Sequence, residues 1–209
     1  MCIRDSITPI QFCEKYCQYV DEGYTDVIHV PINRSGSSTY NNAVMAQGML
    51  REERPEHHLN IHLLDPHTYS MVFGWYLCEM ARKLQNGAEL RHVIGEFEAQ
   101  MNKMEVILGP YSLKQMKKSG RISAAAAVMG ELMGIRPIIT LIDGKTKVES
   151  KVRGDDKVIP AMIDLCKKRT EGVEDFDYMI GHTSIPQAVE LEKACRKAFG
   201  KAPLTTCLL

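Results

Sequence analysis

The chain has 209 residues, and its 26 Lys plus Arg balance 26 Asp plus Glu, which leaves no basic surplus for nucleic acid or an anionic membrane face. Its seven Cys, at positions 2, 13, 17, 78, 166, 195 and 207, are odd in number and scattered, so they do not read as a disulfide framework. There is no signal peptide and no apolar run of about 18 residues, which excludes stable membrane insertion on this reading and points to a reducing cytoplasm.

In chain order, "TPIQFCEKYCQYVDEG" predicts a helix with Thr8 as N-cap, Pro9 at its first position and Gly23 at its close. "DVIHVPI" (26 to 32) predicts a short buried strand, and "NRSGSSTYNNA" a hydroxyl-rich turn into a helix from about Tyr40 to Glu52. A strand at 58 to 65 and helices from Thr68 to Asn86 and Ala88 to Met104 follow, before "EVILGP" (105 to 110) starts a new strand. Short helices are expected in "SLKQMKKSG" and "ISAAAAVMGELMG". Asp143-Gly144 between two strand-like runs is a hairpin signal. A helix around 156 to 169, a strand in "DYMIGHT", a helix at 186 to 199 and a strand in "PLTTCLL" complete the pattern. The helix-bearing connections predict a mainly parallel first sheet with strands near 26 to 32, 58 to 65 and 105 to 109.

Competing motifs are weak. "DGKT" (143 to 146) lacks the first Gly of a P-loop, because position 139 is Ile. Cys13 and Cys17 share a helix face and make a metal site conceivable, but Phe12, Tyr16 and Val20 nearby point to an ordinary half-buried face. His57, His58, His62 and His67 cluster without a zinc-like spacing, so no metal and no cofactor are expected. "SGSST" sits where a nucleophile elbow would, yet it has no Gly after Ser37. A serine hydrolase using Ser37 is therefore an alternative reading, and a truncated non-binding scaffold is another.

The hydroxyl turn, then "LLDPHTYSMVFG", then "LKQMKKSGRIS", "GIRPIITLIDGK" and "KVR", resemble in order and spacing the DegV family of bacterial fatty-acid-binding proteins. The resemblance covers residues 7 to 209. It implies a two-lobed α/β (EDD) architecture: a first lobe, 1–104, built on a mainly parallel sheet, and a second, 105–209, with a mixed sheet carrying the hairpin. It further implies a non-enzymatic cytoplasmic carrier that holds one long-chain fatty acid between the lobes and presents its carboxylate to a fatty acid kinase. The family's Ser-Gly-Thr-Tyr matches Ser37-Ser38-Thr39-Tyr40, so Ser37, Ser38 and Thr39 are implied at the carboxylate, with Ser38 in place of the family's Gly. Its Gly-Gly-Arg-Ile matches Ser119-Gly120-Arg121-Ile122, making Arg121 the implied cation. Ile122, Ala125, Met129 and Met133 are expected along the acyl chain.

The sequence departs from the family elsewhere as well. The positions matching an upstream Thr-Ser-x-x-x-Pro are Arg4, Asp5 and Pro9, so its hydroxyl pair is missing while its Pro is kept. A leading βαβ segment and a closing His-Thr-Gly-Pro-Gly stretch are missing, and "GHTSIP" (181 to 186) stands one strand too early to be the latter. A fragment truncated at both ends is expected, with Met1 to Asp5 of doubtful nativeness. On the residues alone, a carboxylate at this turn meets free N–H groups and the positive end of a helix dipole. Arg121, placed there by the resemblance, would add a charge-assisted, potentially bidentate bond, its alternative being a surface Arg after a helix C-cap.

Overall fold

In the computed structural model, residues 6–112 and 134–209 are described. Helix α1 (Pro9–Asp21) starts on a capping box: the Gln11 amide donates to the Thr8 hydroxyl at 3.3 Å, and the Thr8 amide donates back to the Gln11 side chain at 2.9 Å. Its buried face is Phe12, Cys13, Tyr16 and Cys17, one turn apart in pairs, as a 3.6-residue period requires. Strand β1 (Asp26–His29), helix α2 (Thr39–Glu53) and strand β2 (Asn60–Leu63) form a βαβ unit. The strands are parallel, with Asp26 opposite Asn60 and His29 opposite Leu63. Parallel pairing needs a crossover, and α2 supplies it. Ala43 and Ala46, both fully buried, let α2 approach α1, and Leu50 and Leu59 complete the core between them.

Helices α3 (Met71–Gln85) and α4 (Leu90–Met101) follow, linked by Lys83 to Glu96 at 2.6 Å, with Val93, Phe97 and Met101 buried on α4. Strand β3 (Val106–Leu108) then pairs antiparallel with β4 (Ile135–Ile142), which pairs antiparallel with β5 (Lys145–Arg153). This corrects the expectation that a strand near 105 to 109 belongs to the parallel sheet. A helical connection permits a parallel return but does not force one, and β4 offers β3 a free edge. Asp143 (φ 47°) and Gly144 (φ 71°) turn the β4–β5 hairpin, both in the left-handed region that the favoured two-residue turn demands. A 3₁₀ turn (Asp155–Lys157), helix α5 (Val158–Arg169), strand β6 (Ile180–His182), helix α6 (Ile185–Phe199) and strand β7 (Thr206–Leu208) end the chain. The β6 and β7 strands pair in parallel as a separate sheet, so the strands expected in one mixed sheet are divided between two small ones.

Packing divides the chain into two compact units, Met1–Tyr69 with Tyr76–Met104, and Ser70–Trp75 with Glu105–Leu209. The second has its own core of Ile159, Ile163, Ile180 and Cys195, flanked by Tyr178 and Phe199. Among the described residues, no helix is long and apolar enough to cross a membrane.

The first core contains a polar pair. The Tyr16 hydroxyl lies 2.6 Å from His29 Nδ1, and the Phe12 and His29 ring centroids are 4.8 Å apart. Burial raises the Tyr16 pKa and lowers that of His29, so the phenol keeps its proton and donates it to a neutral imidazole. A His whose folded pKa lies below its ordinary 6.5 stabilises the fold above that value and loses the contribution as pH falls through it toward the folded pKa. Thermal midpoints should therefore fall between neutrality and about pH 5, and His29→Gln should flatten part of that slope. An unchanged slope in the variant would show that His29 takes up protons equally in the folded and unfolded chains.

Candidate functional site

The two loops that leave the carboxyl ends of β1 and β2 are tied together. Leu64 N–H donates to His29 O at 3.0 Å, Asn33 N–H donates to Thr68 O at 3.2 Å, and Arg34 Nε lies 3.2 Å from Asp65 Oδ2. The carboxyl ends of parallel strands are where open α/β sheets leave room for ligands.

Within the first loop, the Asn33 carboxamide oxygen accepts from the Ser35 amide at 2.7 Å and the Ser35 hydroxyl at 2.5 Å, while Gly36 N–H donates to Asn33 O at 3.1 Å. The Ser35 N–H, which can only donate, fixes which end of the Asn33 side-chain amide is oxygen, so Nδ2 points the other way. Gly36 packs tightly against Tyr69: a Cβ there would sit 1.6 Å from the Tyr69 hydroxyl oxygen, so any larger residue would have to displace that side chain. The turn therefore folds against the β2 loop at atomic contact.

Ser37 is buried, at 7% exposure, and its hydroxyl lies 2.8 Å from that of Thr39 while accepting the Thr39 amide at 3.2 Å. Ser38 occupies the N-cap position but makes no side-chain capping bond, so Ser37 is the hydroxyl that serves the first free N–H. The first turn of α2 contains no acidic residue, which leaves the positive end of its dipole uncompensated from within the helix.

Two further side chains were not foreseen. Asn33 is fully buried and Thr68 is 3% exposed, and both Asn33 Nδ2 and Thr68 Oγ1 lie buried without a hydrogen-bond partner. Each such orphan costs about 1–3 kcal/mol, so natural proteins keep few of them. Their loops are joined by the Asn33 to Thr68 backbone bond, which puts two spare donors on neighbouring segments. A ligand with several acceptor oxygens and a negative charge suits that arrangement.

Of the residues named from sequence, Ser37, Ser38 and Thr39 are together at this turn, whereas Arg121, Ile122, Ala125, Met129 and Met133 lie outside the described residues. Ser37 pairs with Thr39, which is no general base, and nothing in that pairing activates it as a nucleophile. Two of the histidines are engaged elsewhere: His62 Nε2 lies 2.8 Å from Asp26, and His57 Nδ1 accepts the Leu59 amide at 3.1 Å. A cleft of about 300 Å³ beside them, lined by Gln47, Arg51, His57 and His62, lies toward the opposite end of α2.

Comparison with known proteins agrees with this architecture. The chain is 30% identical over 159 residues to a DegV domain-containing protein of Clostridium perfringens, covering 76% of this chain and 54% of that one. It thus spans about half the length of the curated relatives it matches. A stearic acid-binding protein from Eubacterium ventriosum superposes with a TM-score of 0.81 at 19% identity, over 96% of this chain and 68% of that one. A fatty acid binding DegV family protein from Streptococcus agalactiae gives 0.80 at 25% identity, over 98% of this chain and 70% of that one. The family model described as an uncharacterised protein of the DegV family matches residues 5–207, and with that coverage the chain belongs to the DegV family.

Proposed function

We propose that this protein binds a long-chain fatty acid and seats its carboxylate over Ser37, Asn33 and Thr68 at the start of α2. The observation that carries the reading is the pair of buried, unpartnered donors on the two joined loops. A carboxylate has enough lone pairs to accept from both orphans and from a hydroxyl at once, and the helix start favours its charge. Solved relatives described as binding stearic, vaccenic and heptadecanoic acids support the same ligand class. Arg121 is proposed as the charged partner that keeps the acid ionised, with Ile122, Ala125, Met129 and Met133 along the acyl chain. The protein acts by holding the acid, in the cytoplasm, and a fatty acid kinase is its proposed recipient, with no chemistry at Ser37.

Native mass spectrometry of protein purified from cells tests this, because a carrier retains fatty acid. Ser37→Ala should weaken acid binding about fivefold, equivalent to about 1 kcal/mol, and Arg121→Ala should cost about 1.5–3 kcal/mol, the range for hydrogen bonds to charged groups. Protein that carries no acid and takes none up would favour the non-binding scaffold. Labelling of Ser37 by a fluorophosphonate would favour the hydrolase.

A further inference from the structure

We propose that Cys13, Cys17 and Glu53 form a binding site for one thiophilic divalent cation, with zinc the best match. The two thiols stand one turn apart on α1, and Glu53 is the last residue of α2. One ligand atom from each lies within 4.8 Å of the other two, and Cys13 Sγ is 3.7 Å from Glu53 Oε2. A tetrahedral zinc with Zn–S near 2.3 Å and Zn–O near 2.1 Å requires S···O edges of about 3.6 Å and an S···S edge of about 3.8 Å. The Cys13 to Glu53 edge already matches, and the three ligand atoms lie within 4.8 Å of one another. The scaffold is fixed in advance, because Phe12, Tyr16, Ala43, Ala46 and Leu50 lock α1 against α2.

The donor set selects the ion. Two sulfurs disfavour magnesium and calcium, which take oxygen ligands, and favour zinc, cadmium or cobalt. Cys13 and Cys17 are buried while Glu53 is exposed, so the fourth position opens on the solvent side, where water can complete the shell. Metal-bound cysteines are thiolates, so binding one divalent ion releases the thiol protons, with no change of oxidation state. The site lies at the far end of α2 from Thr39, roughly 20 Å along a helix rising 1.5 Å per residue, so it is separate from the proposed carboxylate site.

Cobalt(II) titration of the reduced, metal-free protein provides the test. One equivalent should produce sulfur-to-cobalt charge-transfer and tetrahedral ligand-field bands, and zinc should bleach them. Cys13→Ser and Cys17→Ser should abolish the bands, and Cys78→Ser, which removes an exposed thiol, should leave them intact. Glu53→Gln changes only an exposed side chain, so its fold is not at risk; it should weaken zinc by more than about tenfold, the lower bound for losing even an outer-shell partner. It should leave fatty acid retention unchanged. Absence of the bands, their persistence in the Cys13→Ser, Cys17→Ser double variant, or unaltered zinc affinity in Glu53→Gln would overturn the proposal.

Discussion

Tyr16→Ala is expected to lower the stability of the first unit by about 3–5 kcal/mol, the usual cost of deleting a buried aromatic ring. Tyr16 is 2% exposed, stacks near Phe12 with centroids 6.3 Å apart, meets His29 edge-on and donates to its Nδ1. Truncation empties the space between α1 and β1 and leaves a buried imidazole nitrogen unpaired. Total stabilities of about 5–15 kcal/mol are usual, so the loss is a large fraction of the whole. Tyr16→Phe, which keeps the ring and removes only the donor, should cost about 1–3 kcal/mol. Urea unfolding of both variants measures this, with a lowered midpoint and an unchanged slope expected. A cost below about 1 kcal/mol for Tyr16→Ala would mean that the site collapses around the missing ring and that the core is not built on it.

Gly36→Ala should destabilise by about 1–3 kcal/mol and also weaken acid binding, because the added methyl group must displace the Tyr69 ring. The added Cβ would lie 1.6, 2.6 and 2.9 Å from three atoms of Tyr69. Moving that ring separates the two loops, and with them the Asn33 to Thr68 contact that aligns the orphan donors. Placing Tyr69→Leu in the same chain should recover part of the loss, with a coupling within about 0.5–3 kcal/mol. Denaturation of the single and double variants reads the coupling. Strict additivity would show that Gly36 is required for a reason other than Tyr69.

Local chemistry was legible in the sequence where one stretch of chain settles it. Thr8, Pro9 and Gln11 contain the whole start of α1, and Asp143-Gly144 contains the whole hairpin turn. Strand extent was less so. β1 stops at His29 rather than at position 32, because Pro31 has no N–H to donate and the chain leaves the sheet for the loop. The partner of β3 was not legible, since an apolar triplet such as Val106–Leu108 specifies a strand without specifying its neighbour. Site residues divide the same way. The hydroxyl turn showed itself by composition, although its capping hydroxyl is Ser37 rather than Ser38. Asn33 headed that turn and Thr68 lay in "LLDPHT", yet only the joining of their loops reveals that each keeps an unspent donor. Likewise the spacing of Cys13 and Cys17 was plain, and Glu53, brought by a second helix, was not.

The most direct test of a carboxylate seated at this turn is titration with a fatty acid labelled at its carboxyl carbon, followed by NMR, against the alcohol of the same chain length. The labelled carbon should shift on binding to the unaltered protein, the alcohol should bind more weakly, and Thr68→Val and Ser37→Ala should each reduce the preference for acid. Equal binding of acid and alcohol, or a preference unmoved by both variants, would contradict the assignment.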